Sequence, residues 1–348
     1  MLPCGAAVGL SCSTLWTAMR LYVKRVSLTF DAALGSDAPA GGSLGNFNGV
    51  AEGGATLGTL GAMLGSSLLM QRFGPRRQLI FGGLAVVAAI GNFVLFTIPT
   101  PSLLLAEPRS TSQGKAGVSL LALPRLVAKS APLRCLLVSF CCVGCSNSFG
   151  SVNQPLLLRR RSLLLTACRC GQGTFTADAA APALGQQWLG YVVAARAGCS
   201  TLGSLLLGKL SDRIGRYPVL LGSAALEIGA SLYLALPSAL ASLRGNHARV
   251  FGLAAAMGIG YSGTRLMAST MTGDLMEDAD MVTALSGFSL CNGIASGSSF
   301  LLGPNAVLAT KARLLGTVAL CSLLAASVGV VPALRKKKKE AAAGAKQG

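Results

Sequence analysis

Five ionisable residues lie inside long apolar runs, where a charge is expensive: Arg20, Glu52, Arg196, Glu227 and Arg265. An ionisable group within a membrane span is by default a functional candidate, because lipid offers it no solvation. Glu52 stands in a glycine-rich run and has the chemistry to bind a cation or carry a proton. Arg265 and Glu227 can pair across helices or face a central cavity. Glu52, Arg196, Glu227 and Arg265 are the expected pathway residues. Arg20 falls close to the end of its run, where a long side chain can snorkel to the interface. The bland alternative for each is a tolerated charge with no role in a path. A denser group, Lys209, Asp212, Arg213 and Arg216, occupies eight positions of GKLSDRIGRYPVLL, residues 208–221, between two apolar runs.

Long apolar segments must position these charges. Of the 348 residues 52% are hydrophobic and 12% charged, and mean hydropathy is +0.59. A soluble domain carries roughly 25% charged residues, so this chain lacks the charge to cover its surface in water. Nine segments approach the roughly 20 residues that a bilayer requires: 4–23, 46–70, 78–98, 132–157, 187–208, 217–240, 248–272, 280–303 and 313–334. The expectation is an all-α, polytopic membrane protein lying in the lipid bilayer. Glycines 53, 54, 58, 61 and 65 in the second span, and 252, 258, 260 and 263 in the seventh, have the spacing that lets transmembrane helices approach closely.

The net charge of +18 does not point to nucleic acid. The basic residues are scattered between apolar runs, and aromatics make up only 5%, which leaves no stacking platform. Basic residues in short loops are what the positive-inside rule expects. Residues 99–131 read as a linker broken by prolines, and 158–186 as a low-complexity insertion. Residues 335–348 form a basic tail, Arg335 followed by Lys336 to Lys339, expected in the cytosol or against anionic headgroups. Cys142-Val-Gly-Cys145 has C-x-x-C form, but no second such pair accompanies it and the chain has one histidine, His247. Neither a metal site nor a cofactor site is expected. Without a Walker loop or an H-E-x-x-H element, no enzyme activity is expected either.

The order Gly208, Leu210, Asp212, Arg213, Gly215, Arg216 resembles the signature loop of the major facilitator superfamily. Its physical logic is legible. Gly208 allows close helix contact, Asp212 can cap or attract the positive amino end of a neighbouring helix, and Arg213 and Arg216 hold the loop in the cytosol. The five residues Gly208, Asp212, Arg213, Gly215 and Arg216 thus form the expected conformational latch. Tyr217 stands where a second basic residue is frequent. Leu15-Trp16-Thr17-Ala18 with Tyr22, Gly45-Asn46-Phe47-Asn48-Gly49, and the acidic loop Asp274 to Asp278 are similar to elements of Unc-93-like proteins, a branch of that superfamily.

The resemblance implies helices four to twelve of a twelve-helix bundle, with 1–98 a partial amino-terminal half, 132–334 the carboxy-terminal half, and helices one to three missing from an amino-terminally truncated chain. Arg72-Phe73-Gly74-Pro75-Arg76-Arg77 is a degenerate copy of the same signature and would shift the numbering of the first half if it marked helices two and three. The resemblance further implies an accessory protein that regulates potassium or other ion channels or escorts other membrane proteins. The alternative is a secondary transporter of a small solute or ion by alternating access. Family positions that carry aromatic residues and Gln are filled here by Ala55, Thr56 and other small residues.

Overall fold

The computed structural model of the protein describes residues 2–35, 42–73, 83, 86, 90, 93, 122–150, 175–185, 188–302 and 307–344. Among these residues the chain is helical with no strand. In chain order the helices are α1 (Leu2–Leu34), α2 (Leu44–Phe73), α3 (Ala122–Lys129), α4 (Ala131–Gly150), α5 (Ala181–Leu184), α6 (Leu189–Ile214), α7 (Arg216–Ala235), α8 (Ala239–Leu243), α9 (His247–Leu275), α10 (Asp278–Leu302), α11 (Leu308–Ala325) and α12 (Val331–Gly344). Short π-helical segments, Phe175–Ala180 and Ala326–Val330, precede α5 and join α11 to α12. Among the described residues four helical stretches are long and apolar enough to cross a bilayer: Ala131–Phe149, Leu189–Ile214, Arg216–Ala235 and Leu308–Lys337. Helices α1, α2, α9 and α10 have the length as well, at 33, 30, 29 and 25 residues, and α1, α2 and α9 bury Arg20, Lys24, Asn48, Glu52 and Thr264 among their polar groups.

The sequence spans map onto these helices with two informative differences. The first run, read as 4–23, continues to Leu34, so Arg20 stands at mid-helix instead of at a span end. It is 4% exposed and does not snorkel. In the range read as an insertion, Phe175 to Leu184 is helical, and Phe175, Ala179 and Ala180 are buried in the core. Of the third span, 78–98, only residues 83, 86, 90 and 93 are described, and the Gly74–Arg77 part of the degenerate signature lies outside the described residues, as do 151–174 and 99–121.

The interior divides into two apolar clusters with polar groups at their boundary. One cluster gathers Leu133, Leu136, Phe140, Leu220, Leu266, Met271 and Met281 near the end that carries residues 209–216. The other gathers Phe149, Phe175, Leu234, Leu243, Val250 and Leu315 toward the far end. Ser146 lies between Val143 of the first cluster and Phe149 of the second, and Glu227 lies between Leu220 and Ala230. This layering brings polar groups to one depth of the bundle, where they must find partners among themselves.

Helices α2 and α6 cross in close contact because both lack side chains at the crossing. A methyl group on Gly208 would strike the Gly45 carbonyl oxygen and lie 3.0 Å from the Gly49 Cα. On α9, a Cβ on Gly258 would strike the Arg196 carbonyl oxygen of α6, and one on Gly260 would lie 3.0 Å from the Ser223 carbonyl oxygen of α7 and against the Glu227 side chain. Among the described residues, a Cβ at Gly54, Gly58, Gly61, Gly65 or Gly252 would meet nothing within 4 Å. Gly208→Ala is therefore expected to destabilise the protein by about 1–3 kcal/mol through backbone overpacking. Gly229→Ala, where a Cβ meets open space, should be neutral or slightly stabilising. Thermal unfolding of the two variants in one detergent separates these outcomes.

Candidate functional site: a helix-end junction and a buried charge cluster

The 209–216 loop is short because α6 and α7 are nearly continuous. Gly215 alone separates them, with φ +98°, a conformation side-chain-bearing residues rarely adopt. The turn places Asp212 at the amino end of α2. Its Oδ1 accepts the Gly45 N–H at 3.0 Å and its Oδ2 accepts the Asn46 N–H at 2.6 Å. One carboxylate thus satisfies two of the orphan donors of another helix and sits at the positive end of that helix's dipole.

Arg216 lies beside it, 7% exposed, bonded to the Asp212 carboxylate and the Ser211 hydroxyl. Its Nε donates to the Asp274 carboxylate of α9 at 3.2 Å. The same end of α9 receives Lys24 from α1, whose Nζ donates to the Met276 carbonyl at 3.0 Å, and Lys337 from α12, whose Nζ donates to the Asp274 carbonyl at 2.6 Å. Cations at the carboxy end of a helix complement its dipole. Residues of α1, α2, α6, α7, α9 and α12 therefore meet within this junction. Arg213 is exposed, whereas Arg216 is a buried ion-pair partner. Tyr217, at the departing position, directs its hydroxyl to Ser327 at 3.0 Å.

Deeper in the bundle, Glu52 is held between two guanidinium groups. Arg20 Nη2 donates to its Oε1 at 3.0 Å, and Arg265 Nη2 stands 3.0 Å from its Oε2. Aromatic rings back both arginines: Phe288 lies 4.0 Å from Arg20, and Trp16 lies 4.5 Å from Arg265. Arg265 Nη1 also donates to the Tyr261 hydroxyl at 3.2 Å. Arg265 therefore pairs with Glu52 and not with Glu227. Glu52, expected to bind a cation or carry a proton, is already neutralised by two cations.

Glu227 has a different environment. Its carboxylate accepts from the Ser146 hydroxyl at 2.5 Å, the Thr264 hydroxyl at 3.3 Å and the Cys142 thiol at 3.8 Å. Arg196 lies over the Tyr261 ring at 5.1 Å and reaches the Ser146 carbonyl at 3.4 Å. All four expected pathway residues thus belong to one neighbourhood around α9. Sequence reading missed Phe288, Tyr261, Ser146 and Thr264, since ordinary apolar and hydroxyl residues carry no signal. Trp16, Gly45 and Asn46 were visible only as parts of family-like elements.

No group of three His, Cys, Asp or Glu side chains among the described residues could hold a metal. Gly41-Gly42-Ser43-Leu44-Gly45 has the G-x-S-x-G form of a hydrolase elbow, which the sequence reading overlooked. Ser43 Oγ donates to the Ser27 carbonyl at 3.4 Å, and its own N–H is taken by Asp31. The single histidine, His247, is at the amino end of α9 beside Trp188. These residues form no catalytic set.

Arg216→Ala would leave Asp212 and Asp274 without their cation. Stripping one partner from a buried pair costs about 3–5 kcal/mol, so a fall in the unfolding temperature of detergent-solubilised protein is expected. Arg213→Ala, at an exposed position, should stay within about 0.5 kcal/mol of the parent. Equal effects in the two variants would contradict this assignment.

A family model described as Major Facilitator Superfamily matches residues 171–347, just over half of the chain. That match takes in α5 to α12, and with them the Gly208–Arg216 loop, Arg196, Glu227 and Arg265. No curated protein and no solved structure matches the chain. Members of that superfamily are generally transporters rather than enzymes. The all-helical architecture, the apolar spans and the matched half together make this an integral multi-pass membrane protein that belongs to the major facilitator superfamily.

Proposed function

We propose that the protein is a secondary transporter of a small solute, and that the Gly208–Arg216 loop is the latch that holds one of its conformations. The observation that carries this reading is the Asp212 carboxylate on the amino end of α2. The contact joins distant parts of the chain, residues 45–46 and 212, and consists only of hydrogen bonds and charge. It can be released and remade without unfolding a helix, which alternating access requires. The Glu52–Arg265 pair lies below it and joins α2 to α9. With the loop and the basic tail on the cytosolic side, the latch closes the inner face.

A second reading has its own support. The Unc-93-like elements imply an accessory protein that regulates potassium channels or escorts membrane proteins. The closed triad of Arg20, Glu52 and Arg265 fits a static scaffold, because it leaves Glu52 no capacity for a coupling cation.

Proteoliposomes holding the full chain separate the two. For a transporter, at least one labelled solute from a panel of organic acids, sugars and amino acids is taken up. Uptake should fall at least about tenfold in Glu52→Gln, which loses the charge shared by two guanidiniums, and change several-fold in Asp212→Asn. A flat panel, together with a channel that co-purifies equally well with Glu227→Gln and with the parent, would replace transport by the accessory reading.

A further inference from the structure

The charges around α9 do not balance. Arg20, Arg196 and Arg265 bring three guanidinium groups, and among the described residues Glu52 is the one carboxylate within ion-pair distance of any of them. Glu227 is satisfied by two hydroxyls and a thiol. Arg196 has five N–H donors and places one, on the Ser146 carbonyl at 3.4 Å. Its buried Nε has no partner, nor has the Nε of Arg20. The Arg265–Glu52 contact is also incomplete: the atoms are 3.0 Å apart, yet Glu52 Oε2 accepts no hydrogen bond in an aligned direction.

Geometry shows where the missing acceptor belongs. Arg196 and Arg265 meet at one ring, with guanidinium carbons 5.1 Å and 6.0 Å from the centre of Tyr261 and Arg265 bonded to its hydroxyl. The Arg265 side chain keeps 18% of its surface accessible, although it stands ten residues, about 15 Å, from the end of α9. A guanidinium with open surface at that depth borders water, not lipid. The groups around these two guanidiniums are the rings of Tyr261 and Trp16 and the unpartnered Nε of Arg196. Such a setting selects a group that only accepts, carries negative charge and has two oxygens in a plane.

The geometry points to a binding site for a small oxyanion, a carboxylate or phosphate, held between Arg196 and Arg265 at Tyr261. The arriving anion takes the free donors of Arg196 and draws Arg265 off Glu52, whose charge Arg20 continues to hold. In this way occupancy of the site loosens the α2–α9 pair. The site deepens the transporter reading by naming the solute class, and its binding test is independent of uptake.

Thermal unfolding of the detergent-solubilised full chain is the test, with benzoate and inorganic phosphate as probes and benzamide and chloride as controls at matched ionic strength. At least one oxyanion is expected to raise the midpoint by about 2 °C or more, with no rise for either control. Which oxyanion acts distinguishes an organic acid from phosphate. The rise should vanish in Arg196→Gln and survive, at roughly tenfold higher probe concentration, in Arg196→Lys, which keeps the charge but loses the fork. Because Arg196 is underused, Arg196→Gln without probe should unfold no earlier than the parent. No rise with either oxyanion, or the same rise in Arg196→Gln, would overturn the site. Oxyanion binding without uptake of the bound probe keeps the site and removes the transporter reading. Uptake of a neutral or cationic solute with no oxyanion shift does the reverse.

Discussion

Asp212 caps a helix that is not its own. Two backbone N–H groups at the start of α2 have no partner within their helix, and the carboxylate at the end of α6 supplies both. The cap is possible only because Gly208, one turn earlier, lets the two backbones touch at Gly45 and Gly49. Arg216 then offsets the carboxylate's charge and carries the connection to Asp274 on α9. Remove the close crossing and the cap is out of reach. Remove the cap and a buried arginine loses a partner. The arrangement of α2, α6, α7 and α9 at this end of the bundle depends on that sequence of contacts.

The mid-bundle charges follow from the same crossings. With α2 set against α6, Glu52 stands two turns inside α2 and faces α1 and α9. Gly258 and Gly260 then bring α9 against α6 at Arg196 and against α7 at Glu227. Five helices thus deliver ionisable groups to one region between two apolar clusters. Burying so much charge is costly, and each pair recovers part of that cost through short contacts and aromatic backing. What the helices do not supply is an acceptor for the Nε of Arg196, and the excess donors give the region its chemical direction.

Much of this was legible in advance. Apolar runs of about 20 residues mark bilayer helices because an unsatisfied backbone group cannot be left in lipid, and the runs near 46–70, 132–157, 187–208 and 217–240 became α2, α4, α6 and α7. The spacing in GKLSDRIGR announced a tight break between two helices with an acidic group free to cap a third. Other features were misread for physical reasons. Arg20 looked terminal because hydropathy falls after residue 23, but α1 continues as a half-polar helix to Leu34. Phe175 was assigned to an insertion because its neighbours are small and polar, yet its ring fills the core.

By itself the sequence determined that the chain is a helical membrane protein, where its main breaks fall, and which side chains must be costly to bury. Those properties are local: they depend on hydropathy over a helix length and on the backbone freedom of single glycines. Partner choice is not local. That Glu52 would face Arg20 and Arg265, leaving Glu227 to Ser146 and Thr264, depends on the rotation and crossing of α1, α2, α7 and α9. Contacts between residues up to 252 positions apart, as for Lys24 and Met276, set those rotations. Only the packed bundle decided which charges cancel and which arginine is left with donors to spare.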